Sequence, residues 1–135
     1  MIYLDTSAAI KLVIEEDESE ALEHWLRAQQ DISLVTSDLT RIELIRSVAR
    51  RNSLAVPQAV NLLGSFDMLR VDEQVIIAAQ SLPDPLLRTL DAIHLASALR
   101  IRASLTTILA YDKRLLAAAT AYGLQTQSPG VGHGG

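Results

Sequence analysis

The sequence predicts an α/β domain, a mainly parallel central sheet of about five strands sandwiched by helices, and three observations carry that prediction. Short β-rich runs at Ile2–Leu4, Ser33–Thr36, Met68–Val71, Ser104–Leu109 and Leu124–Thr126 alternate with stretches of helical periodicity, as in strands joined through crossover helices. The first run, Ile2-Tyr3-Leu4, is continuously apolar, as expected of a central parallel strand covered on both faces. The third is size: 135 residues with 49% apolar content suffice for one core, since a chain near this length buries roughly 68–70% of its unfolded surface. Residues 1–127 are expected to form a single domain and 128–135 a flexible tail, which has too little apolar material to pack.

In chain order, the first strand delivers Asp5 to its carboxyl end, where Thr6 or Ser7 can cap a helix starting at Ala8. The acidic run Glu15, Glu16, Asp17, Glu18, Glu20 and Glu23 reads as a solvated helix start, with Leu22, Trp25 and Leu26 on the apolar side. After the second strand, Ser37 or Asp38 caps a helix whose stripe is Ile42, Ile45, Val48 and Ala49, and Glu43 sits beside it. Pro57 suits the first turn of the next helix and Gly64 its end. Met68 to Val71 follows as a strand, Asp72 as a cap, and Val75, Ile76 and Ala79 as a buried face that ends at Pro83-Asp84-Pro85. Thr89 or Leu90 opens a helix with Asp91 in its first turn and Ala92, Leu95, Ala96 and Leu99 facing inward. The fourth strand leads to Tyr111-Asp112, Lys113 to Tyr122 is helical, and Gly123 fits the position just past its end.

The composition excludes several classes. The chain has no cysteine, hence neither disulfides nor thiolate metal sites, and no charged-then-apolar leader; a cytoplasmic protein is the expectation. Leu115–Gly135 carries no Asp, Glu, Lys or Arg, yet Thr, Gln, Pro and five glycines interrupt it, so it does not read as a membrane span. A net charge of −4 lacks the overall basic signature of a nucleic-acid binder.

Asp5 and Asp112 stand at strand ends, where ligands of open α/β sheets bind, and Glu43 and Asp91 lie on helices that can cover the same edge. An aspartate before Thr or Ser is also an ordinary helix cap; the repetition of acids at comparable places favours a shared crevice. Carboxylates gathered there raise one another's pKa values unless protons or cations neutralise them. An all-oxygen donor set suits Mg²⁺ or Mn²⁺, whereas zinc normally recruits His or Cys. His94, three residues after Asp91, has no second His at metal spacing and reads as a helical hydrogen-bonding residue.

These pieces resemble a PIN-domain nuclease of the VapC toxin type. The resemblance rests on Ile2-Tyr3-Leu4-Asp5-Thr6-Ser7, Ser37-Asp38-Leu39-Thr40-Arg41-Ile42-Glu43-Leu44, Leu90-Asp91-Ala92-Ile93-His94-Leu95-Ala96 and Tyr111-Asp112-Lys113-Arg114-Leu115, with Gly123-Leu124 closing the pattern. It implies a PIN-like fold, an Mg²⁺- or Mn²⁺-dependent endoribonuclease acting as the toxin of a toxin–antitoxin pair, RNA as substrate, a cognate VapB-like antitoxin and a homodimer. Asp5, Glu43, Asp91 and Asp112 would be the catalytic acids, with Asp5, Asp91 and Asp112 as the metal set and Glu43 binding metal or orienting the attacking water. Thr6 and Ser7 would hold a ligand or the scissile phosphate, and Arg41, Arg46, Lys113 and Arg114 would track RNA phosphates, although solvated helix faces explain these four equally well. Members often carry Thr or Ser two residues before the last aspartate; here Ala110 takes that place.

Other readings are an RNA-processing PIN nuclease outside a toxin pair, a non-catalytic PIN-like protein-binding module, and a receiver-like phosphoacceptor domain. The last needs paired acids after the first strand and a late lysine over the phosphate, neither of which is evident. An antitoxin is expected to lay an amphipathic segment near Leu12, Val13, Leu22, Trp25 and Ile45 and to send an Arg into the acids.

Overall fold

The computed structural model describes residues 1–132. Its strands are β1 Ile2–Leu4, β2 Leu34–Ser37, β3 Asp67–Leu69, β4 Thr107–Leu109 and β5 Thr126–Gln127. They form one sheet in the order β3-β2-β1-β4-β5, and every pairing is parallel. The helices are α1 Thr6–Ala9, α2 Ser19–Arg27, α3 Asp38–Arg51, α4 Val56–Gly64, α5 Glu73–Gln80, α6 Thr89–Arg100 and α7 Lys113–Ala121.

β1 is central because both of its faces find apolar cover. Tyr3 packs on one side with Val35, Leu95, Ile108 and Leu115, while Ile2 and Leu4 pack on the other with Leu22, Phe66 and Leu109. All three β1 side chains are fully buried. From β1 the strand order runs outward in both directions, so the crevice beyond the carboxyl ends of β1 and β4 is a topological switch point.

Local chemistry sets the helix starts. Asp5, Ser37, Asp72 and Asp112 each accept a first-turn amide with their side chains. At α1 this differs from the expected cap at Thr6 or Ser7. Asp5 is the extended residue, its carboxylate closes on the amide of Ala8 at 3.0 Å, and Ser7 turns its hydroxyl back toward Asp5. The inward stripe of α3 also differs: it is Thr40, Leu44 and Val48, leaving Ile42 61% exposed. Thr40 is inside because its hydroxyl pairs with that of Thr36 at 2.7 Å, which in turn donates to the carbonyl of Leu4. On α5 only Val75 of the expected face is fully inside, and Ile76 is exposed. At the end of α7, Gly123 has φ +83°, which a side chain would strain, and the amides of Gly123 and Leu124 satisfy the carbonyls of Thr120 and Ala119.

The acidic run is paired rather than merely solvated. Lys11 reaches Glu16 at 3.1 Å and Glu18 at 2.9 Å, and Arg51 reaches Glu16 at 2.7 Å, which ties the loop before α2 to the end of α3. The expected tail begins with anchoring bonds. Ser128 donates to the carbonyl of Ala110 at 2.6 Å, and the Tyr111 hydroxyl donates to the carbonyl of Pro129 at 2.7 Å. Residues 133–135 of that tail lie outside the described residues. Among the described residues no helix is long and apolar enough to cross a membrane.

Candidate active site

Asp5, Glu43, Asp91 and Asp112 line one cleft of about 300 Å³ at the switch point, together with Thr6, Ser7, Arg88, Thr89, Leu90 and His94. Each acid arrives on a different element. Asp5 directly follows β1 as the cap of α1, the second turn of α3 brings Glu43, the first turn of α6 brings Asp91, and Asp112 follows β4 as the cap of α7.

Their environments differ. Asp5 is 3% exposed, and the Ser7 hydroxyl lies 2.7 and 2.8 Å from its two oxygens. Burial pushes its carboxyl above the ordinary range, against the lowering pull of His94, Ser7 and the Ala8 amide. For Glu43 burial acts upward too, but hydrogen bonds from His94 at 3.0 Å and Thr6 at 2.6 Å prevail, and the carboxyl lies below its usual value. Asp91 is pushed up to about 6 by burial and then by the negative charge of Asp112. Its Oδ2 is buried without a hydrogen-bond partner. A buried acceptor left unmatched is costly, and a cation or a proton relieves it.

Among the described residues no group of three or more His, Asp or Glu side chains is placed so that it could hold a metal ion. Asp5 is directed to Ser7 and the Ala8 amide, and Glu43 to Thr6 and His94. The donor set of the cleft is nevertheless hard oxygen, and the orphaned Asp91 oxygen points to a cation as its complement. These residues fit Mg²⁺ or Mn²⁺ better than zinc.

Of the substrate-positioning candidates, Thr6 and Ser7 line the cleft. Lys113 and Arg114 are exposed in the first turn of α7, directly after Asp112. Arg41 and Arg46 instead line a second, larger cleft of about 860 Å³, with Ile42, Ile45, Val60, Leu63 and Met68. They extend from the outer side of α3, where Arg41 lies 3.7 Å from Asp38. Of the five residues expected to form an apolar docking groove, only Ile45 borders this second cleft. Leu22 is fully buried, and Leu12, Val13 and Trp25 pack onto the core.

Three residues of the site escaped the sequence reading. Arg88 is the exposed residue just before α6 and lines the acidic cleft; it stands three places ahead of Asp91, a spacing that could have marked it. Tyr3 was read only as an apolar strand residue, yet its hydroxyl meets His94 Nδ1 at 2.8 Å. Lys11 stacks over the Tyr111 ring at 4.5 Å, next to Asp112.

A sequence model of the PIN domain matches residues 2–121. Ribonuclease VapC47 of Mycobacterium tuberculosis (strain CDC 1551 / Oshkosh) is 45% identical over 134 residues, covering 97% of this chain and 98% of that protein. Ribonuclease VapC35 of Mycobacterium tuberculosis (strain ATCC 25618 / H37Rv) is 40% identical over 132 residues, 96% of this chain and 98% of the relative. Among solved structures, a toxin-antitoxin complex from Klebsiella pneumoniae superposes with a TM-score of 0.74 at 17% identity, covering 96% of this chain and 98% of that one, a likeness of fold.

Proposed function

Because this chain belongs to the PIN-domain family, we propose that it is a divalent-metal-dependent endoribonuclease that hydrolyses RNA phosphodiester bonds and acts as the toxin of a toxin–antitoxin pair. The observation that carries the reading is the convergence of four acids, from four separate elements, on one cleft at the switch point of the sheet.

Asp5, Asp91 and Asp112 would hold Mg²⁺ or Mn²⁺. Such an ion supplies a lowered pKa for water and offsets charge on the leaving oxygen. Asp5 is kept in place by Ser7 and the Ala8 amide, so its carboxylate enters the reaction already oriented. Glu43, held below the usual carboxylate range, is ionised and able to accept a proton or a hydrogen bond from the attacking water. Arg88 at the rim, with Lys113 and Arg114 beside Asp112, offers phosphate contacts that offset the acidic cleft.

A VapB-like antitoxin is the partner this reading implies, in keeping with the complex solved from Klebsiella pneumoniae. Its apolar segment is assigned to the cleft bordered by Ile42, Ile45, Val60 and Leu63 rather than to the region of Leu22. A second copy of the chain is the other expected partner, and the cell interior the expected location.

The test is cleavage of total RNA by the purified chain with Mn²⁺ and with excess chelator. Cleavage with Mn²⁺ that the chelator abolishes is the expected result; a chain inert under both conditions while binding its partner supports the non-catalytic module instead.

A further inference from the structure

We infer that Tyr3 and His94 are positioning residues that hold Glu43 so that one chosen oxygen of its carboxylate faces the acidic cleft. The inference rests on the nuclease reading, since it assigns how Glu43 is presented within it.

The relay is continuous, and its Tyr3 and His94 members are buried. The Tyr3 hydroxyl lies 2.8 Å from His94 Nδ1, His94 Nε2 lies 3.0 Å from Glu43 Oε1, and Thr6 donates to the same Oε1 at 2.6 Å. Tyr3 is fully buried and His94 is 2% exposed. Their rings meet edge-on at 6.0 Å and 77°, which leaves the imidazole little room to rotate.

For a neutral imidazole the hydrogen-bond inventory selects one tautomer. An ionised carboxylate only accepts, so Nε2 carries the hydrogen toward Glu43. In the neutral ring Nδ1 is then the acceptor, and the phenol is its donor. Burial, aided by the charges of Asp5 and Glu43, keeps Tyr3 in its phenol form.

Both donors that reach Glu43 end on Oε1, and among the described residues none ends on Oε2. A carboxylate whose first oxygen takes two bonds has its rotamer fixed and its second oxygen left for the cleft. The covalent path gives the relay a further use. Tyr3 is two residues before Asp5 on β1, and His94 is three residues after Asp91 on α6, one helical turn along the same face. Glu43 is therefore referenced to two of the three segments that supply the other acids, those of Asp5 and Asp91. A buried histidine that merely satisfied its polar atoms would have no need to end on a cleft acid.

The experiment is a double-mutant cycle on cleavage rate, combined with ring-nitrogen NMR of the metal-free full chain. Tyr3→Phe and His94→Leu should each lower kcat about 10–100-fold with KM for RNA little changed, as for partners that orient a reacting group. His94→Gln, which retains a donor toward Glu43, should recover most of the rate. In a Glu43→Gln background, neither change should cost anything further. NMR should find His94 with hydrogen on Nε2. Losses that multiply undiminished in the Glu43→Gln background, or hydrogen on Nδ1 alone, overturn the relay. If His94→Leu does not fold, Tyr3→Phe carries the cycle by loss of one oxygen, and a folded Tyr3→Phe with full activity also overturns it. A wild type that cleaves no RNA overturns the nuclease reading instead, and the NMR result still decides the relay.

Discussion

The Ser7 hydroxyl sits 2.7 and 2.8 Å from the two oxygens of Asp5 and, at 2.9 Å, accepts the amide N–H of Tyr111. One small side chain thereby registers the end of β1 against the end of β4, and so Asp5 against the neighbour of Asp112. Ser7→Ala removes that registration and little else. Its melting temperature should fall by the equivalent of about 1 kcal/mol, the net worth of an ordinary hydrogen bond. Its RNA cleavage rate should fall far more, by about 10–100-fold. Equal, small effects on both would make Ser7 a structural residue only.

Asp91 gives the metal-free protein a distinctive pH dependence. Burial and then the charge of Asp112 push its carboxyl up to about 6, against about 3.9 in an unfolded chain. Between those values the folded state binds more protons than the unfolded one, so this contribution to stability falls as pH rises from about 4 to 6 and stays lost above. In chelator, wild type should lose stability across that window relative to Asp91→Asn. The lowered carboxyl of Glu43 acts in the opposite sense but is common to both proteins. Melting curves that run parallel with pH would contradict the raised value.

Asp112→Asn separates charge from capping. Asparagine caps as well as aspartate, so the bonds now made to the amides of Arg114 and Leu115 can persist while the charge is gone. An ion that binds only the folded state stabilises it, by about 2.7 kcal/mol at a hundredfold excess over its Kd. Mn²⁺ should therefore raise the melting temperature of wild type more than that of Asp112→Asn. Identical shifts would place the ion elsewhere.

The two sets of arginines should part company in RNA binding. Arg88 lines the acidic cleft, whereas Arg41 and Arg46 border the other one. Arg88→Ala should weaken RNA binding and reduce its salt slope by about one counterion. Arg41→Ala and Arg46→Ala should leave both unchanged, as titrations at several salt concentrations would show.

Much of this was legible in the chain itself. The strand β1 was readable because Ile2-Tyr3-Leu4 has no polar interruption, and Asp72 and Asp112 because capping is local chemistry. The placement of the four acids on one edge followed from the alternation of strands and helices together with the family resemblance. What was not legible depends on three-dimensional neighbours. Thr40 rather than Ile42 lies inside on α3 because it finds the Thr36 hydroxyl, a partner no periodicity reveals. Glu16 and Glu18 looked solvated because Lys11 and Arg51 come from other segments. Tyr3 hid a polar function inside an apolar run, since its hydroxyl matters only once α6 brings His94 across the strand.

Single-turnover RNA cleavage by Asp5→Asn at saturating Mn²⁺ tests most directly whether the four acids form one catalytic site. The substitution keeps the shape and the α1 cap but removes the most buried charge of the cleft. Several kcal/mol of transition-state stabilisation depend on metal held by such ligands, so the rate should fall at least about 100-fold while the thermal unfolding transition remains cooperative. A folded Asp5→Asn that cleaves RNA at the wild-type rate would contradict the site.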